Sequence, residues 1–424
     1  MKPPNTETII YRLKSGLPDE LHRLLEQAGR HCLKRGESLY IAGGMVRDLL
    51  LCLPGKDIDL VVEGDSHSLA IELARIFDGE ITLHEQFRTA KLSVGGFSID
   101  VATARKEAYS HPGALPTVQA GTIEDDLRRR DFSINSMAIS VSGENYGRLI
   151  DPLGGFADLE GRLVRILHPA SFTDDPTRIF RAIRYEQRFG FKIETATLKL
   201  LEKGKGNISS LSADRLRYEF ECIFAEQAPE MALARAYQLS VLGEISEALI
   251  FDKTEAKWFE AARGAYSPQA VPFALYMALL NYRLGNEDNN KLIKRLNLPA
   301  DAAKTVSGIS RLKQKQDDLK KADMRPSDIY YLLAGFDPLA IKACAIACPH
   351  HIVKKRLELY LTELRHIRPI LGGEDLIRLG YSPGPAIGQA LLAIQEKRLN
   401  GSVSSRQQET ELARNLLQDS KPEQ

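Results

Sequence analysis

The sequence predicts an α+β protein, with a mixed sheet and helices in its N-terminal part and helices alone after it. Residues 57–62 alternate carboxylate and apolar side chains, which is typical of a strand with one polar face. Two further strand-like runs flank Gly95 and Gly96, which indicates a hairpin. From Asp174 onward the apolar residues recur at helical spacing.

The elements before the hairpin follow from hydrophobic spacing and from turn and cap residues. They are a helix over 20–34, a strand over 38–42, a helix over 45–53, a strand over 57–62, a helix ending at 77 with Asp65 or Ser66 as its cap, and a strand over 81–85. The hairpin joins strands over 90–94 and 97–103. The stretch from residue 38 to 62 is therefore predicted to be a short βαβ-like segment.

The next stretch, residues 104–127, is predicted to be an ordered loop rather than strand or helix, because prolines and glycines interrupt it. A strand over 137–140 follows, then a turn at 151–155 and a short helix that opens at Asp158. Asp175 before Pro176 is a favourable start for the helix that carries Arg178. Helices predicted over 211–224, 228–241, 254–265, 270–284 and 289–296 continue to a last segment near 375–401.

Bulk composition limits the classes of protein to consider. A length of 424 residues predicts two to four domains, and 43% hydrophobic with 27% charged residues is ordinary for a globular protein. No apolar run is long enough to span a bilayer, and the first twenty residues lack the apolar core of a signal peptide. The five scattered cysteines indicate a reducing compartment, so we expect a cytoplasmic protein that does not act in a membrane.

Asp57 and Asp59 project from the same face of their predicted strand, and two carboxylates so placed repel each other. A cation explains the pair, and Mg²⁺ prefers one or two carboxylates together with substrate phosphates. Asp100 lies on the polar face of its own strand, where it is either a third carboxylate of this site or a lone surface residue. Gly43 and Gly44, before a helix, permit a phosphate to approach the backbone.

Four arginines lie on one face of the helix that follows Pro176, at spacings of three, three and four residues, and they repel each other unless an anion lies against them. They are Arg178, Arg181, Arg184 and Arg188. A solvated surface stripe is the alternative. Cys344 and Cys348, followed by two histidines, have metal-ligand spacing, but their apolar neighbours favour helix packing.

These motifs together resemble a known family. There is no Gly-x4-Gly-Lys-Ser/Thr sequence, so the double glycine is not a P-loop. Gly43-Gly44 with Arg47 and Asp57-x-Asp59 is similar to the nucleotidyltransferase signature of the DNA polymerase β superfamily. Arg129-Arg130-Asp131-Phe132-x-x-Asn135, the 151–159 turn and the arginine helix narrow the resemblance to the class II tRNA nucleotidyltransferases and bacterial poly(A) polymerases.

The resemblance runs from about residue 38 to 225 and implies a role for each matching residue. Asp57 and Asp59 would be catalytic and hold the metal, with Asp100 as a third catalytic carboxylate. Asp175 and Arg178 would read the base of the incoming nucleotide. The other nucleotide-binding residues would be Gly43, Gly44, Arg47, Arg130, Asp131, Asn135, Arg181 and Arg184. Two departures, Asp174 where relatives have Glu and Ser136 where they have Ala, remove no charge that the chemistry needs.

The implied fold is a polymerase β-like nucleotidyltransferase head over 1–165, followed by an all-helical neck over 166–232, body over 233–345 and tail over 346–424. The implied activity is template-independent addition of CCA, or of its terminal A, to tRNA from CTP or ATP with Mg²⁺. The partner would be tRNA, bound at its acceptor and TΨC arms mainly through phosphates. No obligate protein partner is evident.

Two alternatives stay open at this point. A poly(A) polymerase uses the same head, but residues 374–388 resemble the tail of tRNA-adding members. An inactive RNA-binding module would need no strand carboxylates, and both are present. CC-adding members lack part of the loop before the arginine run, whereas this chain keeps residues 104–127, which favours full CCA addition or A addition alone.

Overall fold

The computed structural model describes residues 3–54, 58–85, 88–108 and 117–419. It divides into two compact units, one of residues 1–219 with 238–244 and the other of residues 220–237 with 245–424. The α+β prediction is confirmed, because a mixed sheet occupies the N-terminal part and helices follow it. The finer division into head, neck, body and tail stays a prediction.

The strands all lie in the first unit. They are β1 Ser38–Ala42, β2 Ile58–Glu63, β3 Glu80–His84, β4 Thr89–Val94, β5 Phe97–Thr103, β6 Arg105–Ala108, β7 Thr117–Ala120, β8 Ala138–Ser140, β9 Leu149–Ile150, β10 Leu163–Val164 and β11 Lys192–Ile193.

Helices precede, connect and follow these strands. They are α1 Thr6–Gly16, α2 Asp19–Lys34, α3 Gly44–Leu50, α4 Ser66–Phe77, α5 Ile123–Arg128, α6 Gly155–Glu160, α7 Ser171–Asp174, α8 Thr177–Phe189, α9 Thr195–Gly204 and α10 Ala213–Phe224. The later helices are α11 Pro229–Gln238, α12 Lys253–Tyr266, α13 Phe273–Leu280, α14 Asn286–Arg295, α15 Ala300–Gln314, α16 Pro326–Leu333, α17 Pro338–Ala347, α18 His351–Thr362, α19 Gly373–Arg378, α20 Pro385–Leu399 and α21 Arg406–Asp419.

Seven strands form one sheet in the order β3-β4-β5-β2-β1-β8-β9, in which only β2 and β5 pair in parallel. The β1-α3-β2 segment, predicted to be βαβ-like, therefore has antiparallel strands. The reason is length: α3 has seven residues and rises about 10 Å, whereas the five residues of β1 extend about 17 Å. Such a helix does not return the chain to the start of a parallel neighbour.

The two faces of the sheet are covered by different elements. Helices α2 and α4 pack against the sheet, and the side chains of Leu60 and Val101 are fully buried. On the opposite face, Val61 belongs to a cluster with Ile123 and Leu127 of α5. Because strand residues alternate, Asp59 lies on the same face as Val61. The carboxylate predicted to be catalytic is therefore on the face that α5 partly covers.

The prediction of a loop over 104–127 is wrong for most of that stretch. Strands β6 and β7 form an antiparallel hairpin, and α5 follows it with a capping box made by Thr122 and Asp125. Of the loop signals, Pro112, Gly113 and Pro116 fall in residues 109–116, which lie outside the described residues, and Gly121 lies between β7 and α5. Helix α1 was also not predicted. Its Asn5 cap accepts a hydrogen bond from the Thr8 amide.

The core of the second unit contains a group of aromatic rings. Phe259 stacks on Tyr276 with ring centroids 4.6 Å apart, and Phe224 and Phe251 lie within 6 Å of Phe259. Aromatic pairs contribute beyond the area that they bury. Helix α13 has all residues from Ala274 to Leu280 buried, so it is the central helix of this unit.

All five cysteines are unpaired, which agrees with the absence of a predicted disulfide framework. Cys344 and Cys348 are buried at the end of α17, and burial raises the pKa of Cys344 to about 12. The burial of both side chains agrees with the packing interpretation of this pair. Cys52, by contrast, is exposed in the turn after α3.

No single helix in the described ranges has the length and apolar character to cross a membrane. Only a bent pair, α16 with α17 at 116°, passes by length and composition.

The C-terminal helices are joined around one fully buried carboxylate. Glu409 of α21 accepts hydrogen bonds from the Ile370 and Leu371 amides at 2.8–3.0 Å and from Arg398 at 2.7 Å. Beside it, Leu376 and Ile394 belong to an apolar cluster that α19, α20 and α21 share. Glu409 thus links the start of this region to its last helix.

Glu409→Ala should loosen α19 to α21 locally, because it leaves a guanidinium and two amides without their buried acceptor. Loss of a buried pair costs about 3 kcal/mol, which corresponds to roughly 100-fold faster hydrogen exchange over residues 370–399. Glu411→Ala, at an exposed position of the same helix, is the matched control and should leave exchange unchanged. Equal exchange rates in the two variants would show that Glu409 does not hold these helices.

Candidate active site

Asp59 and Asp100 are direct neighbours across the parallel pairing of β2 with β5. In-register neighbours project from the same face of a sheet. This confirms the predicted position of Asp100 beside the acidic strand. Lys91 of β4 stands opposite Asp100 on the other side, so the row across the sheet is Lys91, Asp100 and Asp59. Asp57, predicted to be the other catalytic carboxylate, lies outside the described residues.

Gly43 lies against this acidic strand and against the arginine run. It has a φ of +73°, in the region that favours glycine. A Cβ atom placed there would lie 3.1 Å from Asp59 Oδ2 and 3.3 Å from Arg130 Cζ. The Gly43 backbone, the Asp59 carboxylate and the Arg130 guanidinium therefore lie close to one another. At Gly44 an added Cβ would meet Arg47 Nη2 at 3.3 Å.

Arg129 and Arg130 share one buried carboxylate, that of Asp126 in α5. Asp126 Oδ1 accepts from Arg129 Nε and Nη2 at 2.9 and 2.6 Å. Asp126 Oδ2 accepts from Arg130 Nε and Nη2 at 3.3 and 3.2 Å. The Asp126 side chain is 0% exposed, and those of the arginines are less than one-fifth exposed.

Asp131 connects the arginine run to α8. Its Oδ2 accepts from Arg181 Nε at 2.7 Å, and its Oδ1 accepts from the Asn135 amide at 3.0 Å. Burial alone would raise the pKa of the Asp131 carboxyl, but the charge of Arg181 and the hydrogen bond from Asn135 outweigh it and hold that pKa below its ordinary value. The same attraction raises the pKa of Arg181. Asp131 is therefore ionised at neutral pH.

Arg47 is buried rather than open to a ligand. Its side chain is 5% exposed, donates to Asn135 Oδ1 at 2.5 Å and pairs with Asp48 at 2.8 Å. Its guanidinium also lies over the rings of Phe189 and Tyr185, at 4.5 and 5.3 Å from their centroids. Arg47 thus holds α3 against α8 and the 3₁₀ turn Ser133–Asn135.

The two carboxylate oxygens of Asp175 have different surroundings. Oδ1 accepts from the Thr177 amide at 3.1 Å, from the Thr177 hydroxyl at 2.7 Å and from Arg215 at 2.6 Å. Within the described residues, Oδ2 accepts no hydrogen bond. One oxygen therefore caps α8 and the other remains available, which answers whether capping occupies the whole side chain.

Arg178 is buried, and two of its five N–H donors are used within the protein. Nη1 donates to Ser171 Oγ at 2.7 Å, and Nη2 donates to the Arg129 carbonyl at 3.0 Å. This second bond ties α8 to the arginine run. Arg178 therefore lies beside Arg129, three residues after Asp126.

Arg184 is paired with a buried carboxylate, and its side chain is 9% exposed. Its Nη1 lies 3.3 Å from Glu219 Oε2 of α10. Burial raises the pKa of Glu219, although Arg184 and Arg181 oppose that rise. Two of the four arginines on this face of α8 are therefore paired within the protein, Arg181 with Asp131 and Arg184 with Glu219. The sequence predicted an anion against this face but did not find these two carboxylates.

The structure brings most of the predicted residues together in the first unit, in two adjoining groups, whereas Asp57 lies outside the described residues. One group is Gly43, Asp59, Asp100 and Arg130; the other is Arg47, Asp131, Asn135, Arg178, Arg181 and Asp175. Sequence reasoning missed Asp126, Tyr185, Phe189, Arg215 and Glu219. A signal existed for Asp126, because it precedes Arg129 and Arg130 by three and four residues on one helical face.

Comparisons with known proteins agree with this geometry. The sequence profile of the Poly A polymerase head domain matches residues 39–165. The chain is 30% identical to the A-adding tRNA nucleotidyltransferase of Halalkalibacterium halodurans, over 99% of this chain and 98% of the relative. The chain belongs to the class II tRNA nucleotidyltransferase family.

Further members of the family show the same likeness. The A-adding tRNA nucleotidyltransferase of Geobacter sulfurreducens is 32% identical over 97% of this chain. That protein is longer, and this chain spans about half of it, 49%. The structure of the Thermotoga maritima CCA-adding enzyme complexed with tRNA superposes with a TM-score of 0.77. It is 29% identical and covers 97% of this chain and 98% of its own.

Membership of this nucleotidyltransferase family implies dependence on a divalent metal. The donor set fits such an ion, because Asp59 and Asp100 present hard carboxylate oxygens side by side on one face. In the part of the chain that the structure describes, no group of three or more His, Cys, Asp or Glu side chains that could hold a metal is found, at this position or at any other. Asp59 and Asp100 would hold the metal, and Asp57, which the sequence predicts as a ligand, lies outside the described residues.

Asp131→Asn should destabilise the protein in a pH-dependent way. The depressed pKa of Asp131 means that its ionised form stabilises the folded state above the ordinary carboxyl value of 3.8, and that this contribution is lost as pH falls through the folded-state pKa. Because Arg181 is one-third exposed, we expect a loss of only about 2 kcal/mol at pH 7.

Urea unfolding of both proteins at pH 7, 5 and 3 measures this difference, which should shrink at the lowest pH. Asp301→Asn, at an exposed position, should change the free energy of unfolding by less than about 0.5 kcal/mol at each pH. A difference for Asp131→Asn that stays constant down to pH 3 would contradict the assigned pKa direction.

Proposed function

We propose that the chain adds nucleotides to the 3′ end of tRNA without a template, and that the terminal A is among them. The observation that carries the proposal is the in-register pair Asp59 and Asp100, beside Gly43 and Arg130, in a member of this family. Relatives named A-adding enzymes, at 30% and 32% identity, support the addition of A. The CCA-adding enzyme of Thermotoga maritima, at 29%, leaves addition of all three nucleotides as the second candidate.

The reaction proposed is attack of the tRNA 3′-hydroxyl on the α-phosphate of ATP or CTP, with release of pyrophosphate. Asp57, Asp59 and Asp100 would hold Mg²⁺, which when bound lowers the pKa of the attacking hydroxyl and offsets phosphate charge. Arg130 would contact the triphosphate from the side of Gly43 and Gly44, because its guanidinium lies beside that backbone. Positioning and charge stabilisation, with no covalent intermediate, would supply the rate.

Selection of the base is assigned to Asp175 and Arg178. Cytosine and adenine each present an amino donor next to a ring-nitrogen acceptor, so a carboxylate and a guanidinium together complement both. Oδ2 of Asp175 has its acceptor capacity left, and Arg178 keeps three N–H donors outside its two protein bonds. Uracil and guanine present donor and acceptor in the opposite order.

The remaining predicted residues would hold these contact residues in place through hydrogen bonds. Arg47, Asn135, Asp131 and Arg181 form a continuous chain of hydrogen bonds from α3 to α8. Arg181 is one-third exposed and is able to share its charge with a phosphate, whereas Arg184 is buried against Glu219. We therefore assign triphosphate contact to Arg181, and we assign Arg184 a structural role beside it.

Substrate tRNA would be held through the phosphates of its acceptor and TΨC arms by the helices after α10, and the unpaired cysteines support a cytoplasmic location. A poly(A) polymerase is disfavoured because the relatives above that match the chain over nearly its whole length act, by their names, on tRNA. The hairpin of β6 and β7, kept before the arginine run, speaks against addition of CC alone.

Three tRNA substrates decide the activity. They end before the CCA sequence, after the first C and after CC, and each is incubated with Mg²⁺ and one labelled nucleotide. An A-adding enzyme extends only the third substrate, with ATP; a CCA-adding enzyme extends all three in turn. If none of the three is extended, the proposed function is wrong, and long A tails on unstructured RNA would identify a poly(A) polymerase.

Asp59→Ala should abolish addition and leave tRNA binding largely intact, since the carboxylate acts on the reacting groups and not on the bulk of the tRNA. We expect kcat to fall at least about 1,000-fold, which corresponds to about 4 kcal/mol of lost transition-state stabilisation. Single-turnover assays and a filter-binding assay measure the two effects. Asp19→Ala, an exposed carboxylate on α2, is the control and should keep full activity; retained activity in Asp59→Ala would overturn the metal assignment.

A further inference from the structure

Asp126 is a buried carboxylate, and the contacts of neighbouring residues fix the position of its helix. It lies in α5, where neighbouring Ile123 and Leu127 pack into the cluster against β1 and β2. The Ile123 amide also donates to Glu63 Oε1 of β2 at 2.6 Å. Helix α5 is thus attached to β2, the strand that carries Asp59. A side chain on α5 therefore has a defined position relative to Asp59.

The way in which Asp126 holds Arg130 sets the direction of the guanidinium. Arg130 uses Nε and Nη2 toward Asp126 Oδ2, so the Nη1 edge points away from the carboxylate. Nη1 is the atom nearest to the Cβ position of Gly43, and Asp59 Oδ2 lies 3.1 Å from the same position. Asp126 thereby orients the one edge of Arg130 that faces the backbone at Gly43.

Charge gives Asp126 a second effect. Arg129 and Arg130 are adjacent, both are less than one-fifth exposed, and two guanidiniums so close repel each other. One carboxylate between them removes that repulsion and leaves the three groups with one net positive charge. A polyphosphate brought to Gly43 would meet a cation that is already oriented, without the entropy cost of ordering a free arginine side chain.

We propose that Asp126 is a positioning residue that acts through Arg130 and holds it in the orientation that receives the nucleotide phosphates. The inference rests on the proposed function, in which Arg130 contacts the triphosphate. The competing explanation is that Asp126 only stabilises the fold by pairing two buried arginines.

A double-mutant cycle separates the two explanations. Asp126→Asn, Arg130→Ala and the double variant are compared with the wild-type full chain in kcat/KM for ATP, with tRNA ending in CC as the acceptor. We expect Asp126→Asn to lower kcat/KM roughly 100-fold in the wild type, because a displaced charge loses its alignment. In the Arg130→Ala background its effect should fall within about twofold, since the group through which it acts is gone.

The equilibrium affinity for a non-hydrolysable ATP analogue is measured on the same four proteins. The Asn variant should bind the analogue more weakly even though it has lost a negative charge, whereas a purely electrostatic effect would tighten binding. Equal losses in both backgrounds, or tighter binding, would overturn the proposal. If the wild type extends no tRNA, the proposed function fails by itself, and the analogue affinities alone still decide the place of Asp126.

Stability is followed separately by thermal unfolding. Glu230→Gln is the matched control, because Glu230 is a buried carboxylate that accepts from Arg263 at 2.6 and 2.7 Å in the second unit. It should lower the melting temperature and leave analogue affinity unchanged. If Asp126→Asn does not fold, the same cycle is run with Asp126→Glu, which keeps the charge and displaces it by one methylene; additive losses there count equally against the proposal.

Discussion

The candidate site depends on ion pairs between its closely spaced arginines and largely buried carboxylates of the first unit. Asp126 separates Arg129 from Arg130, Asp131 pairs with Arg181, and Glu219 pairs with Arg184. Asp126 lies in α5, Asp131 in the segment that follows it and Glu219 in α10, so these ion pairs connect α8 to α10 and to the segment after α5. Without these partners, the mutual repulsion and the cost of burying guanidiniums would oppose folding of this unit.

This arrangement changes the meaning of an arginine-rich helix face. In the sequence, four arginines on one face of α8 indicate a surface that binds an anionic ligand. In the folded protein Arg181 and Arg184 are each paired with a carboxylate of the protein, and the Nη1 atom of Arg130 lies beside the backbone at Gly43. In the proposed function, a nucleotide would therefore bind to a few oriented donors rather than to a broad positive surface.

Much of the candidate site could be predicted because short-range sequence patterns indicate its residues. Strand alternation placed Asp100 on a polar face, and the family resemblance singled out Asp175 and Arg178. The adjacency of Asp59 and Asp100 needed the parallel pairing of β2 with β5, which forty residues of intervening chain hide. The hairpin of β6 and β7 was missed because a few Pro and Gly residues were taken as loop signals for the whole stretch of 104–127. Arg215 and Glu219 come from a separate helix, and no local signal links them to α8.

The unpaired cysteines have a practical consequence. Cys52 is exposed at the end of the helix that begins at Gly44, whereas Cys32, Cys344 and Cys348 are buried and Cys222 is half-buried. Burial raises the pKa of Cys32 and of Cys344 to about 12, so those two thiols react slowly at neutral pH. A maleimide dye would attach preferentially to Cys52, within one short helix of Gly43. The native chain thus carries a built-in labelling position from which fluorescence would follow the arrival of a nucleotide in real time.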